Sequence, residues 1–557
     1  MSQFDSNKYL PFVTVDKPNR AWPNKVIETA PEWCSVDLRD GNQALIDPMT
    51  PAQKLEMFEM LVEVGFKQIE IGFPAASQPD FDFVRKLITE NRIPEDVTIQ
   101  VLTQARKELI ERSFESLVGA NKAIVHVYNS TSTIQREQVF KLSKDEIKKI
   151  AVNGATWVKE CAAKQADTDW QFQYSPESFT GTEMDYAVEV CNAVLDVWQP
   201  TVEQKAILNL PATVEVATPN VYADQIEWFC EHINNRDSVT VSLHTHNDRG
   251  CGVAASELGV LAGADRVEGT LLGNGERTGN MDIVTMGMNL YSQGVDPQLD
   301  FSRMDKIINV VEKCTALKVH PRHPYAGELV FAAFSGSHQD AINKCLALYK
   351  EGEPWEVAYL PIDPRDLGRN YQEVIRINSQ SGKGGVAYVL EQEHAIKMPR
   401  WLQVDFSPIV QKEAEHTEAE VSAEQIFDLF HRTYFPSENK LSLKSYQVSR
   451  EEGADAMEAV LLDDGNEHPI KGQGRGVLEA FVAALSGHTQ QPFVIIDYNE
   501  HTLGRDESAE AMAYVQISVN QQRVCGVGKS HDILGATLNA VLNAYARSKP
   551  LIKQKVA

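Results

Sequence analysis

The run Val-Thr-Val-Ser-Leu-His-Thr-His-Asn at 239–247 puts two imidazoles, His244 and His246, two residues apart at the end of an alternating apolar and polar pattern. Successive side chains of a β-strand point to opposite faces, so Val239, Val241 and Leu243 share one face while Thr240, Ser242, His244 and His246 share the other. Two neutral ring nitrogens then converge on one point and can serve a divalent metal, with a carboxylate from elsewhere completing the set. A bare His-x-His is more often a pair of surface or hydrogen-bonded histidines, so its surroundings must decide.

Those surroundings are repetitive. From about residue 33, short apolar stretches alternate with longer amphipathic ones, the pattern of repeated βα units. Eight strands are predicted, over 33–38, 68–72, 98–103, 123–128, 170–175, 206–211, 239–246 and 265–270. Eight parallel strands with intervening helices predict a TIM (β/α)8 barrel of about 250 residues, whose chemistry sits at the carboxyl ends of the strands. We expect it over 31–305, behind an N-terminal arm at 1–30. Polar clusters obey the strand-end rule: Leu38-Arg39-Asp40-Gly41-Asn42-Gln43, His126-Val127-Tyr128-Asn129-Ser130, Tyr174-Ser175-Pro176-Glu177, Asn209-Leu210-Pro211-Ala212-Thr213, His244-Thr245-His246-Asn247-Asp248 and Gly273-Asn274-Gly275-Glu276-Arg277-Thr278-Gly279-Asn280.

Past residue 305 the rhythm becomes helical, and 306–423 reads as linker subdomains, with the acidic run at 413–420 as a solvated connector. Residues 424–557 carry an approximate duplication: Gly472-Gln473-Gly474-Arg475-Gly476 and Gly526-Val527-Gly528-Lys529-Ser530 each follow strand-like residues and lead into a helix. This predicts an α+β regulatory, ligand-sensing module. Its Gly-x-Gly turns could hold an anion at a helix N-terminus, although tight turns packing helix on sheet are the commoner use.

Bulk properties narrow the function. A chain of 557 residues exceeds one core. A formal charge of −25 excludes nucleic acid as the main partner, because phosphate backbones require a basic footprint. Eight scattered cysteines without Cys-x-x-Cys point to reduced thiols. There is no run of about 18 uncharged apolar residues and no basic-then-apolar leader, so no membrane partner and a cytoplasmic location are expected.

Asp40, just past the first strand, can reach the barrel mouth as the anionic third ligand, and Asn280 can add a fourth oxygen, a mixed set open to Mg2+, Mn2+ or Zn2+. Arg39 can hold an oxyanion or simply orient Asp40. Glu177 and Glu276 can orient substrate and relay protons, or accept from barrel amides. Tyr128, Ser175 and Thr213 suit a substrate carboxylate, and His126 and Asn209, from the same strand-end clusters, join them as substrate-binding candidates.

The three motifs around Arg39-Asp40, His244-Thr245-His246 and Gly273 to Asn280 resemble the signatures of the metal-dependent Claisen-condensing TIM barrels, the group of 2-isopropylmalate, homocitrate and citramalate synthases. With Gln43-Ala44-Leu45, Asn209-Leu210-Pro211-Ala212-Thr213-Val214-Glu215, Ser335-Gly336-Ser337-His338-Gln339-Asp340, Asn378-Ser379-Gln380-Ser381-Gly382-Lys383-Gly384-Gly385 and the duplicated C-terminal region, the whole chain is similar to the long 2-isopropylmalate synthases. That resemblance implies an acyltransferase condensing acetyl-CoA with 3-methyl-2-oxobutanoate and water to give 2-isopropylmalate and CoA, in a homodimer inhibited by L-leucine. It implies a divalent metal, Mg2+ first, on Asp40, His244 and His246, polarising the ketone. Arg39 would stabilise the developing charge and Thr213 would contact the carboxylate. His338, with Tyr371 nearby, would be the base delivered from the neighbouring subunit. The rivals are homocitrate or citramalate synthesis and a non-catalytic amino-acid sensor on a retired barrel; intact Arg39, Asp40, His244 and His246 argue against retirement.

Overall fold

The computed structural model describes residues 6–333, 335–369, 383–417, 421–435, 441–451, 453–503 and 510–553. The chain forms two compact units, Met1–Val330 with Pro364–Arg369, and Phe331–Asp363 with Asn370–Ala557.

In the first unit, β1 (Glu32–Ser35), β2 (Gln68–Gly72), β3 (Thr98–Gln104), β4 (Lys122–Ser130), β5 (Asp169–Glu177), β6 (Ala206–Ala212), β7 (Val239–Thr245) and β8 (Arg266–Gly269) close into a parallel barrel. Closure comes from β8 pairing with β1, where Cys34 lies opposite Glu268. Local signals start the helices between them. Thr50, for example, caps Pro51–Val64 with a reciprocal box to Gln53. The N-terminal arm is tied to the helix Pro219–His232, where Arg20 Nε reaches Asp224 at 2.7 Å, Trp22 Nε1 donates to Asp224 at 2.9 Å and Lys17 Nζ lies 2.8 Å from Glu231.

The first strand is shorter than the expected 33–38. After Ser35 the chain winds into a π-helical turn, Asp37–Gly41, pinned where the Asp37 carboxylate accepts from Leu271 N at 3.1 Å and Ser35 Oγ at 2.8 Å. That turn carries Arg39 and Asp40 out of the strand and over the barrel mouth. On β7 the two faces separate as expected. Leu243 packs toward the helix Gly252–Leu261, where a Cβ on Gly259 would meet it at 2.5 Å. Ser242 and His244 turn the other way, into a lumen that is polar.

The second unit contains the duplication as two copies of three antiparallel strands and a helix. Strands β9 (Leu441–Glu451), β10 (Ala454–Asp463) and β11 (Asn466–Gly474) precede Val477–Thr489; β12 (Phe493–Leu503), β13 (Glu510–Val519) and β14 (Gln522–Ser530) precede Ile533–Lys553. The Gly-x-Gly pairs are not turns but the last residues of β11 and part of β14. A Cβ at Gly526 would come within 2.3 Å of Ala540 O, and one at Gly528 within 2.1 Å of Ala536 O. Close helix-on-sheet packing therefore explains both pairs. We expect Gly528→Ala to destabilise this unit by about 1–3 kcal/mol through overpacking. Denaturant unfolding of the full chain tests this, and a change below about 0.5 kcal/mol would refute the packing account.

The acidic run falls in the last turns of Arg400–Thr417 as far as residue 417. All eight cysteines are free. Among the described residues no helix is long and apolar enough to cross a membrane.

Candidate active site

Asp40, His244 and His246, all buried, offer one ligand atom each within 4.8 Å of one another. Asp40 Oδ2 lies 3.1 Å from His244 Nε2 and 3.6 Å from His246 Nε2. The other ring nitrogen of His244 donates to Glu268 Oε2 at 2.8 Å, which orients the ring so that Nε2 faces Asp40. Behind His246, an isolated bridge brings in Asn280, which is 2% exposed. Neither Asn280 Oδ1 nor Nδ2 has a partner among the described residues, and His246 Nδ1 is also unpaired. Leaving a buried polar group unsatisfied costs about 1–3 kcal/mol, so this corner calls for a partner that a cation with its water would provide. The donor set fits a divalent ion.

Electrostatics agree. Burial alone would raise the Asp40 carboxyl, but Arg39 and His244 outweigh it and hold it well below the usual carboxylate range. Burial pushes His244 down, yet hydrogen bonds to Asp40 and Glu268 lift it to about 9, while burial and the neighbouring His244 take His246 down to about 4. An imidazole set between the Asp40 and Glu268 carboxylates lies where positive charge is favoured.

From the triad a closed circuit of hydrogen bonds runs around the lumen. Arg39 Nη1 contacts Asp40 Oδ1 at 3.0 Å, and Arg39 Nε donates to Glu70. His126 Nδ1 donates to Glu70 at 2.7 Å, and its Nε2 accepts from Ser175 Oγ at 2.7 Å. Asn209 Nδ2 donates to Ser175 at 3.1 Å and to Glu268 at 3.2 Å, and Glu268 returns to His244. The turn after β1 and each strand from β2 to β8 position part of this network, because Gln100 of β3 and Gln173 of β5 also donate to Glu268. Arg266, fully buried, pairs with Glu268 at 2.7 Å.

Above the network opens a cavity of about 160 Å3 that brings together Arg39, Asp40, His126, Tyr128, Ser175, Glu177, Asn209, Thr213, His244, His246 and Glu276. Thr213 Oγ1 accepts from Ser178 N at 2.9 Å, leaving its proton to donate inward. Tyr128 Oη accepts from Gln104 at 3.1 Å, and burial pushes its phenol above the ordinary value. Glu177 accepts from Ser130 Oγ, and Glu276 accepts from Gln43 at 2.9 Å. His338 lies in the second unit, exposed at the start of Gly336–Leu348 and stacked on Tyr359 with ring centroids 4.0 Å apart. Tyr371 lies outside the described residues.

Glu70, Gln100, Gln173, Arg266 and Glu268 were not singled out from sequence, nor was Leu102, which with Pro211 supplies aliphatic wall to the cavity. A signal existed: Gln68/Glu70, Gln171/Gln173 and Arg266/Glu268 are polar pairs at two-residue spacing within otherwise apolar strands.

The stretch that forms the closed barrel, with Asp40 and the His-x-His at its mouth, is matched over residues 30–311 by the HMGL-like family model, and the barrel belongs to that class. Models described as "Alpha-isopropylmalate synthase, post-catalytic domain-like" and "LeuA allosteric (dimerisation) domain" match residues 328–391 and 420–549. A 2-isopropylmalate synthase of Pseudomonas savastanoi pv. phaseolicola is 56% identical over 553 residues, 99% of either chain. One of Parafrankia sp. is 56% identical over 97% of each chain, and one of Alcanivorax borkumensis is 55% identical over 100% of this chain and 99% of its own. The chain belongs to the 2-isopropylmalate synthase family, enzymes of the acyl-transferring, condensing type. The non-catalytic sensor is thereby set aside.

Proposed function

We propose that the chain joins the methyl carbon of acetyl-CoA to the ketone carbon of 3-methyl-2-oxobutanoate and, with one water, releases 2-isopropylmalate and CoA, the first committed step of leucine synthesis. The observation that carries this reading is the convergence of Asp40, His244 and His246 beside Arg39, in a cavity with an aliphatic wall. A divalent ion there, Mg2+ first and Mn2+ or Zn2+ by the same donors, would supply Lewis acidity to the ketone and a chelating point for the 2-oxo acid. Asp40, His244 and His246 would hold it, with Asn280 as a further oxygen donor.

The remaining roles follow from the chain's own groups. Arg39, fixed by Asp40 and Glu70, offers a preorganised cation to the ketone oxygen as it gains charge. Thr213 and Tyr128 present hydroxyls to the carboxylate, and His126, Ser175 and Asn209 form the floor beneath the substrate. Leu102 and Pro211 suit a branched apolar side chain. The cationic lining residues Arg39 and Arg277 are both paired, Arg277 with Asp248 at 2.6 Å, so a distal carboxylate such as that of 2-oxoglutarate finds no free arginine among the described lining residues.

The base comes from outside the barrel in this reading. His126 and His244 have both nitrogens engaged, and His246 is reserved for the cation. His338, assisted by Tyr371 and delivered from the neighbouring subunit of a homodimer, is proposed to take the methyl proton. The resulting carbon nucleophile attacks the ketone carbon, and the ketone oxygen takes up the proton removed from the methyl group as it becomes the hydroxyl. Water then displaces the thiolate at the thioester carbonyl, Glu177 orienting the reacting groups, and leaves a carboxylate and CoA thiol. The match to the LeuA allosteric domain supports L-leucine as feedback inhibitor at the second unit. Eight free cysteines support a reducing, cytoplasmic setting.

A panel of 2-oxo acids with acetyl-CoA, followed by thiol release, tests the substrate. One methylene in an apolar pocket is worth roughly 10- to 200-fold, so 3-methyl-2-oxobutanoate should exceed pyruvate by at least about tenfold in kcat/KM. Best turnover with pyruvate or 2-oxoglutarate would make the enzyme a citramalate or homocitrate synthase instead.

A further inference from the structure

We infer that Glu268 is a positioning residue that holds His244 in the tautomer able to bind a cation and ties that ligand to the cavity floor through Asn209. The inference rests on the cation site proposed above.

Glu268 is 1% exposed and does not line the cavity, so it acts through its neighbours. Its Oε2 accepts from His244 Nδ1 at 2.8 Å and Asn209 Nδ2 at 3.2 Å. Its Oε1 accepts from Arg266 Nη1 at 2.7 Å, Gln173 Nε2 at 2.8 Å and Gln100 Nε2 at 3.3 Å. All of these partners are donors, and only an ionised carboxylate accepts at both oxygens. An amide of the same size must turn its NH2 toward one set or the other. Facing His244, it forces Nδ1 to become the acceptor and moves the proton to Nε2, the atom that points at Asp40. Facing Arg266, it opposes a buried guanidinium already committed to Gln68, Ser242 and Gln100. The geometry thus makes Glu268 the orienting carboxylate behind a metal-binding histidine, a kind of partner whose loss costs about 10- to 100-fold in affinity.

The test is Mn2+ binding to chelator-treated full-length protein, by calorimetry, in wild type, Glu268→Gln and Glu268→Asp, with circular dichroism to establish folding. Glu268→Gln should raise the Mn2+ Kd about 10- to 100-fold. Glu268→Asp, which keeps two acceptor oxygens on a shorter arm, should raise it less than the amide but by more than twofold. A folded Glu268→Gln protein with a Kd within twofold of wild type overturns the inference. Where that variant does not fold, Glu268→Asp decides by the same criterion. A merely structural role would lower the unfolding midpoint and leave the Kd of the folded protein unmoved. Wild-type protein that binds no Mn2+, or binding that survives Asp40→Ala unchanged, sinks the cation site itself and this inference with it.

Discussion

Alanine in place of Asp40 is expected to cut thiol release from acetyl-CoA and 3-methyl-2-oxobutanoate by about a thousandfold or more, in a protein that still folds. Lewis-acid polarisation is worth several kcal/mol of transition-state stabilisation, and each tenfold in rate takes about 1.4 kcal/mol. Asp40 is the one carboxylate of the triad, so its loss leaves two imidazoles that have no anion to draw an ion against its hydration. The fold should survive because Asp40 sits on the π-helical turn Asp37–Gly41 and not in the strand ladder. Arg39 also keeps a buried counter-charge in Glu70. Chelation of wild type should reproduce the loss and added Mg2+ or Mn2+ should restore it, whereas excess cation should restore little in Asp40→Ala. Steady-state thiol release with circular dichroism on the same samples separates lost chemistry from lost structure. Activity within about threefold of wild type at saturating cation would remove Asp40 from the reaction.

The parts of this site that could be read from sequence are those whose partners lie close along the chain. His244 and His246 share a face because strand geometry makes them do so, and the alternation around them predicts β7 to within a residue. The barrel was legible because its βα unit repeats, each copy ending in a polar cluster. The turn carrying Arg39 and Asp40 was not, because it depends on Asp37 reaching Leu271, 234 positions away. Glu268 and Glu70 escaped for the same reason. Their spacing within the strands was visible, but their donors come from other strands: Glu70 meets Gln100 on the neighbouring β3, and Glu268 meets Gln173 and Gln100 across the lumen, a proximity that barrel closure creates. The Gly-x-Gly pairs show the converse. Their composition suggests turns, and only the helix lying 2.1 Å from an added Cβ at Gly528 reveals strand residues that must lack side chains.

The lumen also predicts a large stability effect. Arg266→Met should destabilise the barrel by about 3–5 kcal/mol, since removing one partner of a buried ion pair strands the other charge. Arg266 and Glu268 are both fully enclosed and 2.7 Å apart. Glu268 would keep its neutral donors Gln173, Asn209 and Gln100 and the imidazole of His244, whose charge is shared with Asp40 and does not replace the guanidinium on the other carboxylate oxygen. Against a total stability of about 5–15 kcal/mol this is a large fraction, and denaturant midpoints of the barrel transition should register it clearly. The charge account makes a sharper demand than the loss itself. In the double variant Arg266→Met/Glu268→Gln no stranded anion remains, so the pair of changes should cost at least about 1 kcal/mol less than the sum of the single ones. If the costs instead add to within about 0.5 kcal/mol, the two residues are independent packing elements. A coupling of the expected sign would mean that the guanidinium, buried below the cavity, stabilises the carboxylate on which the orientation of His244 depends.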